Sequence, residues 1–312
     1  MSTPQPAWQG TLNPNVGPQP STPAGAAPNP QFSSPNSADQ WKLSFVGLLR
    51  AEWLKLMTMA STWVLISISF VLAFYTTATS VRAGLFFVDM IDSRLLDDYG
   101  FNNLSSSMWG APIYSGVLLA LLGILSVTNE YSSGMIRTTL TVTPSRWPAL
   151  AAKAIVVAVF AFVSSAIAEL LGAVLSFPGL SSTVRFDLFL PSGLRVWLGS
   201  ALVMALMAML GMGLGTLIRS TAVSLVAYFG VMLVLPLLLL LGAAAMQNLS
   251  ESVSGILLHM PAVAPFGFFT PLFDYGAEWD LPATTVSAVI ATLFWTLAPL
   301  GFGFWALAKR DA

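Results

Sequence analysis

Two residues of this sequence combine a reactive side chain with an unusual setting. Glu169 lies beyond the middle of a long apolar run, Pro148 to Phe177, and His259 is the single histidine. A carboxylate inside such a run is costly to bury and is a functional candidate by default, suited to binding a cationic group or to joining a proton relay. The plainer reading puts Glu169 at the headgroups, simply hydrated. His259 alone supports neither an HExxH zinc site nor any two-histidine metal site, so no metal is expected and it reads as a polar residue at an interface. No Gly-x-Ser-x-Gly elbow exists for it to serve. No GxxxxGK[ST] loop cradles nucleotide phosphates. With zero cysteines, thiolate nucleophiles and cysteine-held metals are excluded as well. No catalytic residue is assigned.

The elements that must position these residues follow from composition. Of 312 residues 55% are hydrophobic and 9% charged, with a mean hydropathy of +0.76. Soluble domains carry about 25% charged residues, so most of the chain belongs in lipid. A net charge of −1 offers no basic face for nucleic acid. A bilayer core of about 30 Å asks for about 20 apolar residues per helix. Six segments qualify: Ser61 to Ser80, Trp109 to Val127, Pro148 to Phe177, Val196 to Ile218, Ala222 to Ala245 and Ala283 to Ala308. Gly255 to Phe273 is also apolar, but Pro261, Pro265, Gly267 and Pro271 break it, so it reads as re-entrant or interfacial.

Cations set the orientation. Lys42, Arg50, Lys55, Arg137, Arg146, Lys153, Arg219, Lys309 and Arg310 fall on the side of both termini, which is therefore read as cytoplasmic. Lys153, near the start of the third span, can snorkel. Residues 1–40, rich in proline with Asp39 as their one charge, read as a disordered tail without the marks of a signal peptide. Residues 41–60 read as an amphipathic interfacial helix, with Phe45, Val46, Leu49, Trp53 and Leu56 on one face and Ser44, Ala51, Glu52, Lys55 and Thr58 on the other. The alternative is a cationic flank extending the first span. Residues 61–310 form the six-span domain.

The cytoplasmic stretch from Asn129 to Arg146 is longer than two antiparallel helices need. Glu130 sits where a short helix would begin and Pro144 where it would stop. Tyr131, Met135 and Ile136 would make an apolar knob beside Arg137. A solvated loop whose arginines only enforce topology is the alternative. Gly211 and Gly215 form a small-xxx-small pair for close helix approach, either between subunits or within one. Pro236 in the fifth span either opens a kink at a path or is structural, and the structural reading is preferred.

Three stretches carry a resemblance: LLRAEWLKLMTMASTW (Leu48 to Trp63), NEYSSGMIRTTLTVTP with Ala151, Ala152 and Lys153, and GMGLGTLIRSTAVSL (Gly211 to Leu225). In their order they resemble the permease subunits of type-2 ATP-binding-cassette (ABC) transporters, particularly six-span permeases of Gram-positive actinobacteria. The resemblance covers most of residues 41–310. It implies an all-α integral membrane fold with six transmembrane helices, cytoplasmic termini, an interfacial N-terminal helix and an extracellular re-entrant element between spans five and six. Glu130, Tyr131, Gly134, Arg137 and Leu140 would couple to a cytoplasmic ATP-binding subunit, and Arg219 would close the second cytoplasmic loop. ATP and magnesium would belong to that partner. Two copies, or one copy with a related permease, would enclose an export path in a bacterial plasma membrane, with Glu169 and Pro236 as candidate path residues. The substrate class would be an amphipathic drug, peptide or lipid. Competing readings are a non-transporting scaffold or immunity-type protein and a secondary transporter. The latter should show inverted repeats, and none is found.

Overall fold

In a computed structural model, the residues described are 44–88, 111–134, 146–179, 186–245, 251–268 and 284–309. The proline-rich tail 1–40, and Arg137 and Leu140, lie outside them. Every regular element among the described residues is helical: α1 Phe45–Thr58, α2 Ala60–Val88, α3 Ala111–Ser132, α4 Arg146–Ser176, α5 Pro191–Ile218, α6 Thr221–Phe229, α7 Leu235–Ala245, α8 Glu251–Leu258 and α9 Thr285–Lys309. One π turn, Gly230–Val234, joins α6 to α7, so the two form a single long rod.

Five helical stretches among the described residues are long and apolar enough to cross a membrane: Ala60–Ser80, Trp147–Ser176, Pro191–Ile218, Thr221–Gly242 and Thr285–Ala306. The remaining expected span overlaps α3, which is apolar up to its last turn, where Asn129 and Glu130 stand.

Local chemistry sets the boundaries. The Ser44 hydroxyl caps α1 by accepting from the Gly47 N–H at 3.2 Å. Met59, in an extended conformation, separates α1 from α2, and the Trp63 indole N–H crosses that break to the Met57 carbonyl at 2.8 Å. Pro191 opens α5, where its missing N–H costs nothing. At the other end Arg219 adopts a left-handed conformation, φ 60°, and donates its N–H to the Gly215 carbonyl at 2.9 Å.

α5 is the most enclosed spanning helix and the α6–α7 rod the least. The reason is its small residues. A Cβ on Gly211 would run into the Ala120 carbonyl of α3, and one on Gly123 of α3 would run into the Ala208 carbonyl of α5. Gly213 faces α9 in the same way, where an added Cβ would come within 2.6 Å of the Leu300 nitrogen, and one on Gly215 would lie 3.1 Å from the Ile124 carbonyl. Backbones therefore approach closely on two sides of α5, and Leu119, Leu122, Met204 and Ala208 fill one continuous core with Val157 of α4. Gly211 and Gly215 are thus spent on packing within this chain.

The proline-broken segment is a short helix, α8, followed by turns and a 3₁₀ turn, Ala264–Phe268. The Trp295 indole N–H on α9 holds it through the His259 carbonyl at 2.9 Å, and the His259 ring bonds the Gly255 carbonyl at 2.7 Å.

Candidate functional site: a charged junction of three helices

Four charged side chains from three elements meet where α1, the end of α3 and the start of α4 come together. Lys153 of α4 donates to Glu52 of α1 at 2.5 Å and to Glu130 of α3 at 2.9 Å. Lys55 of α1 donates to Glu52 at 2.6 Å and to Glu130 at 3.0 Å. Each lysine therefore bridges both carboxylates, and the formal charges cancel. Glu52, Glu130 and Lys153 are buried, while Lys55 closes the partly open side. Neutrality and full pairing are what make such burial tolerable.

This arrangement corrects three expectations. Glu52 does not belong to an outer polar face of α1: it is turned inward beside Leu56, and Val46 is left 72% exposed instead. Two lysines waiting on α1 and α4 outweigh the preference of an aliphatic side chain for the interior. Lys153 does not snorkel, because two carboxylates hold its ammonium in place. Glu130 does not begin a short helix; it lies in the last turn of α3, where it interacts unfavourably with the helix dipole and is compensated by both lysines.

The Glu130 carboxyl lies beyond the apolar part of α3, and opposing effects act on it. Burial pushes its pKa up, but the charges and hydrogen bonds of Lys153 and Lys55 prevail and hold it below the usual glutamate range. For Lys55, burial lowers the pKa, but its bonds to Glu52 and Glu130 and their charges prevail and hold it above 10.5. The Glu130 contribution to stability is then present above its unfolded pKa and lost as pH falls through the folded one. The Lys55 contribution is present below its unfolded pKa and lost as pH rises through the folded one. The melting temperature in detergent should hence show no loss from this junction between about pH 5 and 10 and should fall on acidification below that window. A decline centred near pH 7 would contradict the assignment.

The chain beyond Glu130 is anchored to the α5–α6 turn. The guanidinium of Arg219 lies over the ring of Tyr131, 5.0 Å from its centre, and the Thr221 hydroxyl donates to Thr128 at 2.7 Å. Gly134, φ +72°, turns the chain away after α3, a conformation that glycine adopts without strain. Arg219 holds a similar backbone without being glycine, and its buried Nε and Nη2 find no acceptor among the described residues. The ring stack is its visible compensation. Arg219→Ala should therefore lower stability by about 1 kcal/mol, whereas Arg219→Gly, which removes the left-handed strain along with the stack, should be close to neutral. Equal melting temperatures for the two variants would show that backbone strain is not at issue.

The other candidates lie apart. Glu169 is fully buried between α4 and α5 and accepts a hydrogen bond from the Ser200 hydroxyl; its Oε1 has no partner among the described residues. It does not face the outside of this chain, unlike the exposed carboxylate that the plainer reading expects. Pro236 follows the π turn by two residues. Its ring excludes the helical bond to Met232, and the ladder instead runs from the Leu235 N–H to the Gly230 carbonyl. Among the described residues no group of three His, Asp or Glu residues is arranged to hold a metal.

Glu52, Lys55 and Lys153 were visible in the sequence only as charges near segment ends. Their signal was balance: two acids and two bases at ends assigned to one side of the membrane, in a chain with few charges to spend.

Four short ion pairs tie three helices together where α3 ends. The profile of the family described as ABC-2 family transporter protein matches residues 46–312. No curated protein matches the chain. A match over most of the sequence, on an all-helical chain with several membrane-length helices, places it plainly: the chain belongs to the ABC-2 transporter family, as a multi-pass membrane permease component.

Proposed function

We propose that this permease exports an amphipathic substrate using ATP hydrolysed by a separate cytoplasmic subunit, and that the junction of α1, α3 and α4 receives the mechanical input. In this reading six helices span the plasma membrane of a bacterium with both termini cytoplasmic, α1 lies at the cytoplasmic interface, and the α8 segment is re-entrant on the outer side. Two copies, or this chain and a related permease, enclose the path. The partner supplies ATP and magnesium and grips the loop through Tyr131, Gly134, Arg137 and Leu140. Glu130, at the root of that loop, passes the displacement to α1 and α4.

The observation that carries this reading is the pairing of Glu130 with Lys55 and Lys153. A loop docked on a moving partner is useful only if its root is fixed to the helices that must move. Neutral pairing of four charges, three of them buried, fixes it more rigidly than apolar contacts, which slide.

Copurification of the tagged permease with its ATP-binding subunit tests the proposal. The wild-type complex should form, and Arg137→Glu should abolish it by charge reversal at the docking loop. In inverted vesicles the assembled complex should accumulate substrate only with ATP. Undiminished binding by Arg137→Glu would overturn the coupling assignment, and partner binding without flux would favour a scaffold. Glu169→Gln should reduce substrate-stimulated ATPase activity if Glu169 serves the path. Unchanged flux and ATPase activity would leave it a packing residue.

A further inference from the structure

A cavity of about 130 Å³ lies away from the charged junction. Val117, on its α3 wall, is thirteen residues from Glu130, about 20 Å along the helix. The other walls come from α5 with Met207, from the rod around the π turn with Tyr228 and Leu233, and from the proline-broken segment with Pro261 and Phe266. No charged residue lines it. Its one hydroxyl, on Tyr228, is directed at the Met207 sulfur at 3.8 Å. The lining is predominantly apolar.

Two features shape the space. The π turn widens the rod where Leu235 bonds back to Gly230, beside the lining residues Phe229 and Met232. The cavity also has a mouth: Leu233 lines it and is 60% exposed, continuous with the exposed Leu237, Leu238 and Leu241 on the same rod. In a spanning helix that surface meets lipid, so what reaches the mouth is hydrocarbon.

We propose that this cavity binds the terminal segment of a hydrocarbon chain, which enters sideways past Leu233. Its size is near that of an engineered cavity of about 150 Å³ that takes benzene, so it holds a few methylenes and no headgroup. The driving force is not dehydration, because lipid tails are as apolar as the walls. It is dispersion: the wall atoms lack neighbours while the cavity is empty and regain them when a chain fills it. The chain can come from a resident phospholipid or from a transported amphiphile, and the chemistry of recognition is the same.

The test uses the full chain in phosphatidylcholine vesicles containing a lipid with a photoreactive diazirine at the end of one acyl chain. After illumination, labelled residues are mapped by mass spectrometry. Met207 and Met232, buried at the cavity, should be labelled, while Met204 and Met212, fully buried elsewhere, should not; the loss of label in the cavity-filled variants separates cavity occupancy from exposure. Filling the cavity with Ala262→Trp, or with Val117→Phe should the first variant fail to fold, should cut the label on Met207 by roughly tenfold. Label at Met207 no higher than at Met212, as when a second copy seals the mouth, would overturn the proposal; so would label that the filled variants leave unchanged. In the complex with the ATP-binding subunit, label that persists with ATP identifies a resident lipid. Label that ATP depletes identifies the tail of a transported molecule, and either result supports a hydrocarbon site. The vesicle experiment needs no transport, so it stands or fails separately from the export reading.

Discussion

Lys153→Met is expected to be among the most damaging single substitutions outside the apolar core. It leaves Glu52 and Glu130 facing each other with only Lys55, on the partly open side, between them. Removing one partner from a buried ion pair costs about 3–5 kcal/mol, because the remaining charge is buried without compensation. The measurement is the melting temperature in detergent, together with the folded fraction by size-exclusion chromatography. The double variant Lys153→Met/Glu52→Gln should recover much of the loss, since it removes the second charge and leaves the Lys55–Glu130 pair intact. A single variant that melts like wild type would show that the junction is not a structural tie. A double variant no better than the single would shift the blame from charge to packing.

A second large effect is expected at Gly211→Ala. One added methyl is ordinarily favourable in a helix by about 1 kcal/mol. Here the Cβ would overlap the Ala120 carbonyl of α3, a backbone atom that no rotamer change can move. The α3–α5 contact would have to open, at a cost of about 1–3 kcal/mol or more once the propensity gain is offset. Gly242→Ala is the matched control, because nothing lies within 4 Å of its Cβ position. Melting temperature and folded yield should fall for Gly211→Ala and hold or rise for Gly242→Ala. Equal behaviour would mean that α3 and α5 do not pack this closely.

Helix positions were largely legible from hydropathy. Lipid demands long apolar helices with internally satisfied backbones, and that demand leaves a plain mark: the observed α4 and α5 overlap the expected runs almost throughout. Pro261 and Pro265 likewise announced a broken segment, because a missing N–H is a local fact. Pro236 was legible as a disturbance. The form it took, a π turn ahead of the ring, depends on how the rod meets its neighbours.

The site was far less legible. Periodicity placed Glu52 and Lys55 on the polar face of α1, since a single helix shows which residues share a side but not which side another element will cover. Glu52 and Glu130 are 78 residues apart, and Glu52 and Lys153 are 101 apart, so no local pattern links them. Arg219 and Tyr131 meet for the same non-local reason.

By itself, then, the order of residues determined a membrane-embedded helical chain, its breaks, and a family likeness that the match over residues 46–312 bears out. Those features depend on each segment's own exchange between water, lipid and backbone hydrogen bonds. The tertiary structure decided which charges neutralise one another, which glycines admit a neighbouring backbone, and where an apolar cavity stays unfilled. Each of these depends on distances between segments far apart in sequence, which only the packed helices bring together.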